Sequence, residues 1–204
     1  MEPTASLTPQ IVQSSHIGAV AATMAGAFVD DPCWGWVFND PDPQRRYEQQ
    51  VAFWSLALAG SIEHHFVWTT PGYEAATIWI VPGAPEYTEP SAAKVYPLLD
   101  ELLGARSELA KEVCERFDAA HPHDEEHFYL SLFGTHPDHR GKGIGMRLLA
   151  DNLTQIDAHH QPAYLESTND ANLRRYESVG FEFAGSFELP DDGPIVRQMW
   201  RVAR

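Results

Sequence analysis

The run HPDHRGKGIGMRLL, His136 to Leu149, sets Gly141, Gly143 and Gly145 between an apolar stretch and a helical pattern. Upstream, HFYLSLFGT is short, apolar and aromatic, the profile of a buried strand. Downstream, Met146, Leu149, Leu153 and Ile156 recur at helical spacing. A strand that turns through glycines into a helix, followed by the short strand AYLES, commits the chain to an α/β fold with a parallel strand pair bridged by that helix. The turn also has a chemical use. The first amides of a helix lack intrahelical acceptors and lie at the positive end of its dipole. Glycine removes the Cβ atoms that would hold an anion away from those amides. Arg140 and Lys142 add side-chain charge. The amides of Gly141, Lys142, Gly143, Ile144, Gly145 and Met146 therefore read as a cradle for a diphosphate.

This local anion site stands in a chain of net charge -15. Such a balance repels phosphate chains and attracts protonated amines, so nucleic acid is excluded as a partner. Only Arg45, Arg46 and Lys94 supply positive charge in the first hundred residues. Arg174 and Arg175 read as a solvated helix face. The 204 residues suit one domain over 1–204. No apolar run is long enough for a membrane span, and the N-terminus lacks the pattern of a signal peptide. With only Cys33 and Cys114, far apart, a cytoplasmic location is the expectation. The histidines His121, His123 and His127 of HPHDEEH, like His64-His65 and His159-His160, read as solvated loops, and no metal is expected.

The remaining elements follow from periodicity and punctuation. Residues 7–13 read as a short first strand. SSHIGAVAATMAGAF reads as a helix capped by Ser14 or Ser15. QRRYEQQVAFWSLALAG reads as a second helix, and HHFVWTTPGYEAATIWIVPG as a hairpin. Residues 91–119 are helical with a break at Gly104, and Val95, Leu98, Leu99, Leu102 and Leu103 share a face. NDANLRRYESVGF is a short helix closed by Gly180, and FEFAGSFEL and IVRQMWRV are strands across PDDGP. Trp54, Trp68 and Trp79 lie in apolar runs and read as core.

The loop does not fit a Walker pattern, and it satisfies the dinucleotide fingerprint only at Gly141 and Gly143, with Met146 at the third position. It does match the [QR]-x-x-G-x-[GA] signature of the GNAT acyltransferase superfamily through Arg140, Gly143 and Gly145, down to the preceding Pro137. ESTNDANLRRYESVGF resembles that family's Asn-bearing loop and Tyr-bearing helix. PDHRGKGIG, AYLESTNDANLRRYESVGF and the late LPDDGP are similar to puromycin N-acetyltransferase-like small-molecule acetyltransferases.

The resemblance implies a GNAT fold, a mixed splayed central sheet flanked by helices, with acetyl-CoA as co-substrate. It divides the domain into an acceptor-side half, about 1–120, and an acyl-CoA-binding half, about 121–204. It places pantetheine against the backbone of Phe133, Gly134 and Thr135, and assigns Asn169 or Asn172 to the same arm. It makes Tyr176 the acid that protonates the departing thiolate, a role suited to a phenol that stays protonated at neutral pH. Glu166, on the strand flanking the splay, is the candidate base for the incoming ammonium, with a structural carboxylate as the alternative. Asp30, Asp31, Tyr129 and His127 follow it as candidates. Asp30, Asp31 and Trp34 of DDPCWGW suit a cationic acceptor pocket through charge and cation–π contact. No cysteine is expected near the motifs, which argues for direct transfer in a ternary complex. The expected activity is N-acetylation of a small-molecule amine, with an antibiotic or toxic compound as the implied acceptor. A protein lysine or N-terminal acetyltransferase and a non-catalytic acyl-CoA sensor are the alternatives. The expected state is a monomer or a homodimer.

Overall fold

The computed structural model describes residues 8–63 and 66–204. A seven-stranded sheet runs in the order β1-β2-β3-β4-β5-β7-β6, where β1 is Gln10–Ile11, β2 Phe66–Thr69, β3 Ala75–Ile80, β4 Phe128–Thr135, β5 Ala163–Ser167, β6 Glu182–Glu188 and β7 Ile195–Arg201. β4 and β5 are parallel; the other pairs are antiparallel. The crossover that joins β4 to β5 is the helix after the glycine loop, α6 (Ile144–Asp157). Its Leu149, Leu153 and Ile156 are buried, as their spacing predicts, and Met146 packs at the edge of that cluster.

The other sheet face is covered by α1 (Ile17–Phe28) and α3 (Pro43–Ser61), with the short α2 (Trp34–Val37) between them. α3 starts where Asp42 caps it, accepting from the Gln44 amide at 3.0 Å, with Pro43 in the first turn. The serine cap expected for α1 is absent. Ser14 and Ser15 lie inside a 3-10 turn whose capping residue is Gln13, and α1 begins after His16. α4 (Glu89–Leu103) and α5 (Ser107–Ala120) form a helical hairpin broken at Gly104, as expected. Trp54, Trp68 and Trp79 are buried. The first strand is shorter than its expected span, of which residue 7 lies outside the described residues, as do His64 and His65. No helix among the described residues is long and apolar enough to cross a membrane.

Two irregularities in β4 position the site. Its pairing with β5 runs from Phe128 opposite Ala163 to Leu130 opposite Leu165 and then stops, although both strands continue. The strands splay from there. On its other edge β4 keeps pairing with β3, but Ile78 faces Leu132 while Trp79 faces Leu130, so Ser131 is an extra, unpaired residue. A one-residue bulge exchanges the faces of everything beyond it. Leu130 accordingly packs with α6, and Leu132 packs with α1.

Candidate active site

A cavity of about 910 Å³ opens where β4 and β5 part. Its walls come from the β4 and β5 ends, the β3–α4 loop, α5, and the α1–α2 turn. Glu166 on β5 lies beyond the last β4–β5 pair and faces this space. Tyr129 donates a hydrogen bond to Glu166 Oε2 at 2.6 Å, and Tyr164 donates to Oε1 at 2.9 Å. Gln198 Nε2 supports Tyr164 Oη at 3.0 Å and is itself held by the Ala120 carbonyl at 2.7 Å. Burial pushes the Glu166 carboxyl up to about 7, against the two phenol hydrogen bonds that favour its ionised form. A carboxyl held there exchanges its proton near neutral pH. The cavity is lined by seven carboxylates and, among the described residues, by no Lys or Arg.

At the mouth of the split, Tyr176 on α7 (Leu173–Glu177) is buried against Phe133 and Phe181, with ring centroids 6.3 Å from each. Its hydroxyl has no hydrogen-bond partner among the described residues. Burial, and then the nearby charge of Asp31, raise its pKa, so it stays a phenol. On the other side of the split, Gly141 (φ 76) and Gly143 (φ 71) take left-handed backbone conformations that bring the chain into α6. Among the described residues the amides of 141–146 make no turn or loop hydrogen bond to the backbone. Gly145 lets α6 approach β4: a Cβ there would strike Thr135 Oγ1 and come within 3.1 Å of Phe133 Cζ.

Residues 103–183 match the family model of the acetyltransferase (GNAT) domain. A 49-residue segment is 43% identical to the L-amino acid N-acyltransferase MnaT of Escherichia coli K12, spanning 22% of this chain and 28% of that one. The whole chain superposes on a Corynebacterium glutamicum protein described as histone acetyltransferase HPA2 and related acetyltransferase. That match has a TM-score of 0.71 and 21% identity, over 97% of this chain and 96% of that one. It superposes on arylalkylamine N-acetyltransferase 2 of Aedes aegypti with a TM-score of 0.59 and 14% identity, over 97% and 99% of the two chains. The fold is the GNAT fold. The mixed, splayed sheet that the resemblance implied is therefore correct. The GNAT match covers both the loop and Tyr176, and stops short of α1 to α3.

Within this GNAT fold the expected site residues separate into those that converge and those that do not. Glu166, Tyr176, Phe133, Asn172, Asp31 and Trp34 line the cavity. Gly134 and Thr135 continue the β4 edge. Asn169 accepts from the Ala171 amide at 3.0 Å, and Asn172, which lines the cavity, accepts from Arg175 Nη1 through its Oδ1. Arg140 reaches back to the Ala27 carbonyl at 2.9 Å, and Lys142 to the Asp138 carbonyl at 2.9 Å, so both also tie the loop together. Asp31 caps α2 through the amides of Cys33 (2.9 Å) and Trp34 (3.1 Å) and accepts from Thr168 Oγ1 at 2.8 Å. Asp30 points outward, 3.8 Å from Arg46.

Three features differ from expectation or were not foreseen. Cys114 on α5 does line the cavity, but burial pushes its thiol up to about 12, which keeps it protonated and unreactive. His121 and His127 are not a solvated turn. His127 is buried, their Nε2 atoms are 3.2 Å apart, and His121 sits edge-on to Tyr129 at 4.7 Å. Burial brings His121 down to about 4, so it is neutral at neutral pH. Among the described residues no group of three His, Cys, Asp or Glu side chains is placed to hold a metal ion. Glu86, in the β3–α4 loop, is a further cavity carboxylate that no motif pointed to.

Proposed function

We propose that this protein transfers an acetyl group from acetyl-CoA to the amine of a small cationic molecule. The observation that carries the reading is that the Glu166 carboxylate and the Tyr176 hydroxyl face one cavity at the parting of β4 and β5. The unpaired β4 edge from Phe133 to Thr135 suits the amide groups of an extended pantetheine arm, which would add as a strand. The free amides of residues 141–146 suit its diphosphate. Glu166 takes a proton from the acceptor's ammonium, directly or through water, and the neutral nitrogen attacks the thioester carbonyl carbon. The C–N bond forms, the oxyanion collapses, the C–S bond breaks, Tyr176 donates its proton to the sulfur, and the extra proton left on the acylated nitrogen passes through water to the Tyr176 phenolate. No protein nucleophile takes part, because Cys114 stays a thiol.

The acceptor wall supports a small molecule over a protein chain. Trp34 stacks on Phe117 at 6.0 Å and meets Trp54 edge-on at 5.0 Å, and all three line the cavity beside its carboxylates. Flat or apolar cations suit such walls. The puromycin N-acetyltransferase-like motifs motivate self-protection against a toxic amine, in the cytoplasm, as the role. Incubation with acetyl-CoA and pooled aminonucleosides, aminoglycosides, polyamines and lysine peptides, read by mass spectrometry, tests this. One or a few small cationic amines should be acetylated. Modification of the peptides alone would transfer the reading to a protein acetyltransferase, and acetyl-CoA binding without any product would favour a sensor.

A further inference from the structure

The far wall of the cavity carries groups that the transfer chemistry leaves unused. Glu86 leads into α4 and faces the same space as Glu166, close enough for its charge to help raise the Glu166 pKa. Ser131, the bulge residue of β4, donates its hydroxyl to Glu86 Oε1. The bulge thus has a second consequence: it turns a hydroxyl toward the cavity at the height of Glu86. Glu86 has no Lys, Arg or His partner among the described residues, and burial together with Asp118 raises its pKa. Beside it the half-buried Tyr87 lines the cavity, and its hydroxyl has no hydrogen-bond partner among the described residues.

Buried polar groups are almost always paired, and a buried carboxylate needs a counter-charge. A carboxylate held by a serine, next to an unpaired phenol, in a cavity lined among the described residues by no Lys or Arg and with no histidine bonded to it, lacks its cation. Glu166 serves the reacting amine at the split. Glu86 remains for something else.

We infer that Glu86, held by Ser131 and flanked by Tyr87, binds a second cationic centre of the acceptor, so that the substrates of this site are small amines carrying two positive charges. Diamines and amine-bearing guanidines with an apolar or aromatic body fit, the body lying along Trp34 and Phe117. This deepens the acetyltransferase reading and rests on it.

The test uses two probes of one shape, 1,4-bis(aminomethyl)benzene and 4-methylbenzylamine, which differ by one ammonium group. Their affinities are measured by calorimetry at about pH 8, where both carry their full charge, with CoA present. The wild-type protein should bind the diamine about tenfold more tightly than the monoamine. Glu86→Gln should abolish that difference, and Ser131→Ala should reduce it; CoA affinity in the same samples reports that each variant is folded. Equal affinity for the two probes, no diamine binding at millimolar concentration, or a preference that persists in Glu86→Gln would overturn the inference. The same mixtures with acetyl-CoA separate the two readings. A diamine bound through Glu86 but never acetylated sinks the transfer reading and keeps the site. Acetylation of both probes at equal kcat/KM sinks the site and keeps the transfer.

Discussion

Glu166, proposed as the base, illustrates how burial of one carboxyl costs stability. Its carboxyl ionises at its usual value of 4.5 in an unfolded chain and at about 7 in the folded one. Between those values the folded state holds a proton that the unfolded state has released, so stability falls as pH rises and levels off above about 7. Glu166→Gln removes that loss. Urea denaturation should find the variant more stable than wild type at alkaline pH, by an amount on the order of 3 kcal/mol at most, with the gap closing toward the acid side. Turnover of the same variant should drop ~10²- to 10⁴-fold. The wild-type rate should rise with pH as Glu166 loses its proton near 7. Cys114 gives a complementary prediction. Its thiol, pushed up to about 12, should take up no acetyl group from acetyl-CoA alone, as intact-mass analysis will show. An acetylated chain would contradict direct transfer.

At the level of elements, the glycine loop fixes how closely α6 can approach β4. Gly145→Ala places a methyl group against Thr135 Oγ1 and 3.1 Å from Phe133 Cζ. The helix must move outward, at an expected cost of about 1–3 kcal/mol in urea denaturation. Calorimetry should show a weakened affinity for CoA, because the displaced amides are the ones that would meet its diphosphate. The helices, the hairpin and the loop were legible in the sequence because each is a local pattern: Leu149, Leu153 and Ile156 need only helical spacing, and Gly141 and Gly143 need only their φ angles. The bulge at Ser131 was not legible. HFYLSLFGT reads as one uninterrupted strand, and only its pairing with β3 reveals that Leu130 and Leu132 face opposite layers. Asp31 and Trp34 were found because they are neighbours of a type that suits a cation. Glu86 and Cys114 were not, because the β3–α4 loop and α5 bring them to the cavity from segments that carry no motif. The serines at the start of α1 misled, since a 3-10 turn took the place of the cap.

Over the whole molecule, the net charge of -15 and the cavity's lack, among the described residues, of Lys and Arg act together. An acceptor of the cationic kind proposed would be drawn to the protein from beyond contact distance, and salt screens such attraction over about 10 Å at 0.1 M. For cationic amines kcat/KM should therefore fall with added salt, while for an amine that is neutral at the assay pH it should change little; initial rates across a salt series check both. The two halves of the chain meet at the site. Asp31 from the α1–α2 turn bonds Thr168 after β5, and its charge acts on Tyr176. The central claim is that this shared site transfers acetyl groups with Tyr176 as the acid. Steady-state turnover of acetyl-CoA and an accepted amine by wild type and Tyr176→Phe, beside their calorimetric affinities for acetyl-CoA, tests it most directly. The account predicts a loss of ~10²-fold or more in kcat with affinity nearly unchanged. Undiminished turnover in Tyr176→Phe would contradict it.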